Sequence, residues 1–135
     1  SGGTVFSRIM GVAGSEGLVG YALDALKDGF FGEQARAMIL VEYDALVSDP
    51  HRTMREIYEF IGEPWFDHDF DNVVYDADEF DLALGAPGLH TIRRKVEFIP
   101  RQTVLPPQLF NRFNDDMFWR HPEANRHNVR IIRPA

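Results

Sequence analysis

The feature that most constrains the fold lies in residues 38–62, where an apolar run hands the chain directly into a helix with full start and stop signals. Met38, Ile39, Leu40 and Val41 are too few for a helix of their own and suit one buried strand near residues 37–42. A turn is expected through Glu42, Tyr43 and Asp44, with Leu46 and Val47 as apolar anchors. Ser48 or Asp49 can cap the helix that Pro50 opens, because a missing N–H costs nothing in a first turn. Met54, Ile57, Tyr58 and Ile61 recur on one helical face, Gly62 suits a left-handed stop and Pro64 prevents resumption. A strand feeding a capped helix is half of an α/β unit. The expected class is therefore α/β, mostly α-helical with one clear strand.

Around this stretch the pattern is helical. Val5, Phe6, Ile9 and Met10 form an apolar patch, and Gly11, Gly14 and Gly17 interrupt it. A Gly-rich turn before a helix can bind anions. This one lacks the Gly-Lys-Ser/Thr ending and no strand precedes it, so a helix–helix turn is the expectation. Ser15 would cap a second helix buried along Leu18, Val19, Ala22, Leu23, Ala25 and Leu26 and ended by Gly29 and Gly32. Pro107 starts a last helix through Leu109, Phe110, Phe113, Met117 and Phe118, whose apolar face would dock on the core, with Trp119 at its end. Residues 121–135 are polar and basic and read as an extended tail on a single domain.

Composition excludes several classes. Eleven Phe and 44% hydrophobic residues require a packed core, and the absence of Cys removes disulfides, zinc-thiolate sites and thiol nucleophiles. No apolar run approaches the roughly 20 residues of a membrane span, and Ser1-Gly-Gly3 lacks the features of a signal peptide. A cytoplasmic protein without membrane partners is expected. The net charge of −7 conceals an asymmetry: residues 1–85 carry 5 Lys and Arg against 17 Asp and Glu, whereas residues 86–135 carry 9 against 4. The acidic majority argues against a general nucleic-acid binder; the basic third leaves room for a local anion site.

Two segments carry that asymmetry. In the acidic, aromatic run 63–81, Asp67, Asp69, Asp71 and Asp78 fall at positions one, three, five and twelve of a calcium-loop template. Position six is Asn72 rather than Gly and position twelve is not Glu, so an acidic loop whose Trp65, Phe66, Phe70 and Phe80 pack on the central helix is the favoured reading, with His68 structural. In residues 85–107, His90, Thr91, Arg93, Arg94, Lys95 and Arg101 form the densest group of cations and donors in the chain. They make either an ordinary exposed loop or the Arg forks and ammonium that a phosphate or sulfate requires.

The central stretch resembles the C-terminal half of bacterial PAPS-dependent sulfotransferases related to tyrosylprotein sulfotransferases (PAPS is 3′-phosphoadenylyl sulfate). That family reads as an apolar strand, Tyr-Glu-Asp-Leu-Val, two residues, Pro, and a helix ending in Phe-Leu-Gly-x-Pro. The corresponding residues here are Leu40-Val-Glu-Tyr-Asp-Ala-Leu-Val-Ser-Asp-Pro50 and Tyr58-Glu-Phe-Ile-Gly-Glu-Pro64, followed by Trp65 and His68. The basic run Leu89-His-Thr-Ile-Arg-Arg-Lys-Val-Glu97 lies where the family places a segment closing over the nucleotide. The likeness spans roughly residues 18–120.

The resemblance implies the C-terminal part of a P-loop-type sulfotransferase fold, with PAPS as co-substrate and an unknown hydroxyl or amine acceptor. Tyr43 would face the nucleotide, or else pack between strand and helix with its hydroxyl on backbone. His90, Thr91, Arg93, Arg94 and Lys95 would contact the 3′-phosphate or adenosine side. The family's phosphosulfate loop and its Arg-Asp-Pro element have no counterpart in the sequence, so the chain is expected to be a catalytically silent C-terminal portion. No catalytic residue and no metal ligand are assigned; His68 and His90 are unattached candidates for acid–base work. Two other functions stay open: self-association into a homo-oligomer through an unpaired strand at 38–42, and calcium binding at 67–78.

Overall fold

The strand expected at 37–42 exists, but it is not alone. The computed structural model, which describes residues 17–135, pairs β1 (Ile39–Val41) with a second strand, β2 (Arg130–Ile132), in a two-stranded parallel sheet. The expectations for residues 4–16, including most of the Gly-rich segment and the Ser15 cap, lie outside the described residues. Helices make up about half of the described residues. They are α1 (Leu18–Phe31), α2 (Tyr43–Ser48), α3 (Pro50–Ile61), α4 (Asp78–Ala83) and α5 (Pro107–Asp115), with 3₁₀ turns at Glu33–Ala37, Phe118–Arg120 and Pro122–Ala124. The described residues thus form a mixed structure, helices with a short two-stranded parallel sheet, consistent with an α/β class.

The described residues form two compact units. One holds the described residues up to Leu40 together with Arg101–Ile131; the other holds Val41–Pro100 and Ile132–Ala135.

In the first unit the core is Phe30, Ala35, Leu40 and Val129, with Leu26, Met38, Phe118, Trp119 and Ile131 packed against it. Phe30 is the anchor: its ring meets Phe31 and Phe118 edge-on, each at 5.1 Å between centroids. Because Phe30 fixes the rotation of α1, the inward face is Val19, Leu23, Leu26 and Phe30, at steps of four, three and four. Leu18, Ala22 and Ala25, expected inside, are exposed. The helix also runs through Gly29 and stops at Gly32, where a Cβ would sit 2.5 Å from the Asp28 carbonyl oxygen. Only glycine allows that approach.

The same unit corrects the reading of the chain's end. Residues 121–135 are not an extended tail, because Val129, Ile131 and Ile132 are apolar and β-branched and are better placed beside β1 than in water. Asn125 sets up the strand by closing a two-way clasp on one residue: its Oδ1 accepts from the Val129 N–H at 2.8 Å and its Nδ2 donates to the Val129 carbonyl at 2.9 Å. Asn128, at φ 55, takes the left-handed turn between them, a conformation that Asn tolerates well. One edge of β1 is therefore occupied within the chain. Helix α5 ends earlier than expected, at Asp115, and buries none of its residues fully.

In the second unit the expected turn after β1 is a short helix. Glu42 caps α2 by backbone alone, and Ala45 and Val47 are buried on it. Asp49 then ends α2 and starts α3, its Oδ1 accepting from the Arg52 N–H at 3.0 Å, while Gly62 closes α3 at φ 74. What ties the two helices together is Thr53, fully buried, whose Oγ1 donates to the Ala45 carbonyl at 2.9 Å. Met54, Ile57 and Tyr58 are half-buried and Ile61 is exposed, so the inward face of α3 turns on Thr53 and not on the large residues.

Three substitutions probe this frame by equilibrium denaturation. Phe30→Ala should cost about 3–5 kcal/mol, the usual loss for a large buried ring. Thr53→Val, which keeps the shape and removes the buried donor, and Asp49→Ala, which removes the cap, should each cost about 1 kcal/mol.

Candidate functional site: a basic loop clasped by an acidic one

The acidic and basic runs singled out by composition meet in the second unit. Helix α4 carries Asp78, Glu79 and Asp81 in its first turn, where the free N–H groups favour negative charge. The chain leaves it through Gly85 and Gly88, both at positive φ. Two tight backbone bonds follow, Leu89 N–H to the Ala86 carbonyl at 3.1 Å and Thr91 N–H to the Gly88 carbonyl at 3.3 Å. This reversal returns His90 to α4. The Asp81 carboxylate, 1% exposed, accepts from the His90 N–H through Oδ2 at 2.9 Å and bonds His90 Nδ1 through Oδ1. Phe80 sets its ring 5.4 Å from the imidazole.

Four residues further on, the loop is held a second time. The Val73 N–H donates to the Arg94 carbonyl at 2.7 Å and the Val96 N–H to the Phe70 carbonyl at 2.8 Å. Between these bonds Lys95 Nζ meets Asp71 Oδ1 at 2.9 Å. Asp69 stiffens the acidic side by accepting from the Asp71 and Asn72 N–H groups, at 3.1 and 3.0 Å, in an Asx turn.

The charges respond accordingly. The backbone N–H of His90, and then its ring, hold the Asp81 carboxyl below the usual carboxylate range. The hydrogen bond and charge of Lys95 lower Asp71, and Asp71 raises Lys95 in return. The Asp71–Lys95 pair is exposed, so salt screens it and its role is to set position more than to add stability.

The sequence-derived candidates fall into three groups. His90 and Lys95 lie in the clasped loop, each with an acidic partner. Thr91, Arg93 and Arg94 lie in the same loop, solvent-exposed, and among the described residues neither guanidinium has a hydrogen bond or ion pair. Tyr43 stands apart from them in the first turn of α2, 61% exposed, with no hydrogen bond or ring contact to the loop among the described residues. Its placement corrects the alternative of a Tyr packed between strand and helix. His68 is held by Tyr58, whose hydroxyl lies 3.0 Å from Nε2, and its ring stacks on Phe70 at 5.5 Å. Of the four aromatic residues expected on the central helix, Trp65 reaches Tyr58 and Phe70 reaches His51, while Phe66 and Phe80 are exposed.

Sequence reasoning missed Asp81. It stood as one acid among many in the run 63–81, and nothing in its spacing separates it from its neighbours. It also missed Glu42, which is buried after β1 with Arg133 Nε 3.9 Å away, and the bond from Arg52 Nη2 to the Arg133 carbonyl at 2.7 Å. Among the described residues no group of three or more His, Asp or Glu is placed to hold a metal ion, and no helix is long and apolar enough to cross a membrane. Asp69 and Asp71, two of the calcium-template positions, are engaged by the Asx turn and by Lys95.

Compared with family models, curated proteins and solved structures, the chain matches none of them.

The Asp81 clasp has a defined pH dependence. Its folded carboxyl titrates lower than its unfolded one, so the contribution is complete above the ordinary carboxylate range and is lost as pH falls through the depressed folded value. Amide hydrogen exchange should therefore show the His90 N–H protected near neutral pH and unprotected well below about pH 4. Asp81→Asn should remove most of that protection at neutral pH.

Proposed function

We propose that this chain supplies the nucleotide-contacting C-terminal part of a PAPS-dependent sulfotransferase, with the loop 90–95 on the 3′-phosphate side of the nucleotide. The observation that carries this reading is a tethered loop with two exposed guanidiniums that have no hydrogen bond or ion pair among the described residues. Asp81 holds it at His90, the Phe70 and Val73 backbone holds it at Arg94 and Val96, and Arg93 and Arg94 stay exposed between. A tethered loop loses less entropy on binding than a free one, and forked donors match a phosphate's oxygens. The order of motifs from Leu40 to Glu97 supports the family assignment.

Tyr43 fits the same reading from the other side of the motif. It directly follows β1 and Glu42, at the carboxyl end of the strand, where α/β sheets generally take their ligands. In the intact enzyme, in-line transfer of the sulfuryl group from PAPS to a hydroxyl or amine would depend on positioning and on cations that stabilise charge on the transferring group. This chain contributes nucleotide positioning to that reaction, and no general base is assigned within it.

The test is calorimetric titration with adenosine 3′,5′-bisphosphate. Binding with a Kd of about 0.1–1 mM is expected, about −4 to −5.5 kcal/mol, with adenosine alone binding much more weakly. The double substitution Arg93→Ala, Arg94→Ala should weaken the bisphosphate by about tenfold or more, since a hydrogen bond to a charged group contributes about 1.5–3 kcal/mol. Equal binding of adenosine and its bisphosphate, or an unaffected double variant, would remove the reading.

A further inference from the structure

The Asp81–His90 contact is more than a fastening. A buried carboxylate that bonds both the backbone N–H and the ring Nδ1 of one histidine fixes the orientation of that ring and keeps a proton on Nδ1. The other nitrogen, Nε2, is thereby the one left to meet a ligand. His90 Nε2 has no hydrogen bond among the described residues, and the side chain keeps 42% of its surface exposed. A ring held in this way presents a lone pair when neutral and an N–H when charged. The neutral form repels an oxyanion and the charged form donates to it.

The surroundings favour the second state when an anion is present. Arg93 and Arg94 follow His90 by three and four residues on the same clasped loop and remain cationic at every relevant pH. Lys95 is already taken by Asp71, and Asp78 and Glu79 sit in the first turn of α4 with Asp81. Phe80 sets an apolar ring beside the imidazole, 5.4 Å between centroids. Among these groups, the imidazole alone can offer a ligand either a lone pair or an N–H at one nitrogen.

We propose that Asp81 and His90 form a proton-coupled oxyanion subsite, in which a phosphate or sulfate group binds beside Arg93 and Arg94 together with one proton taken up on His90 Nε2. Asp81 is the positioning residue: it touches no ligand and acts by fixing the ring and balancing the charge that the proton brings. The inference deepens the nucleotide reading, on which it rests for the identity of the natural ligand but not for anion binding itself.

Inorganic sulfate is the suitable probe because it stays dianionic from pH 5.5 to 8, so a change in affinity reports the protein. Titrations at constant ionic strength, with chloride as reference and amide shifts of residues 89–95 as readout, should show sulfate binding about tenfold tighter at pH 5.5 than at pH 8. His90→Gln, an exposed-side change that keeps a polar side chain, should flatten this dependence. Asp81→Asn should move the onset of tight binding to lower pH; if that variant does not fold, His90→Gln still decides the matter. Equal sulfate affinity at both pH values, or full pH dependence in His90→Gln, would overturn the proton coupling and leave the nucleotide reading intact. Coupled sulfate binding without any binding of adenosine 3′,5′-bisphosphate would uphold the subsite and remove the nucleotide reading. Absence of binding by either probe would overturn both.

Discussion

The return of residues 129–132 beside β1 is the constraint on which the described structure depends. A three-residue strand has no stability of its own, and its backbone groups need a partner once Leu40 is buried. The partner comes from the far end of the chain, and the Asn125 clasp on Val129 aims it. Leu40 and Val129 then fill the core of the first unit, and Ile132 is buried in the second. Because this pairing joins residues about 90 apart, its loop closure carries an entropic cost that local helices do not share. The helices supply local order; the strand pair supplies the long-range order.

A second principle organises the region with functional interest. The acidic run 63–81 and the basic loop 90–95 are joined at two points, through Asp81 with His90 and through Asp71 with Lys95. What is left over after pairing is informative: Arg93 and Arg94 stay exposed on a loop tied down at either side. An unpaired cation on a constrained backbone is a better binding group than one on a mobile loop, since less freedom is lost when the ligand arrives.

Legibility in the sequence varied with the range of the interaction. The Asp49 cap, the Pro50 start and the Gly62 stop of α3 were readable because each depends on backbone groups within four residues. The inward face of α1 was readable as helical but was placed wrongly by part of a turn, since Phe30, at the end of the pattern, fixes the rotation. Glu42 and Asp81 gave no signal at all. Both are acidic residues among many, and their burial depends on Arg133 and His90, which arrive through chain reversals that composition does not encode.

By itself, then, the amino-acid sequence determined the local elements: a strand near residues 37–42, the capped helix at 50–61, its glycine stop, and the presence of an acidic and a basic run. Tertiary structure alone decided which partner each received. It placed Val129–Ile132 against β1, turned a supposed tail into a strand, made Thr53 the link between α2 and α3, and selected Asp81 from its neighbours as the carboxylate that orients His90. The physical reason is that caps and stops act over one turn of backbone, whereas the choice among similar apolar or acidic residues depends on which of them the folded chain removes from water.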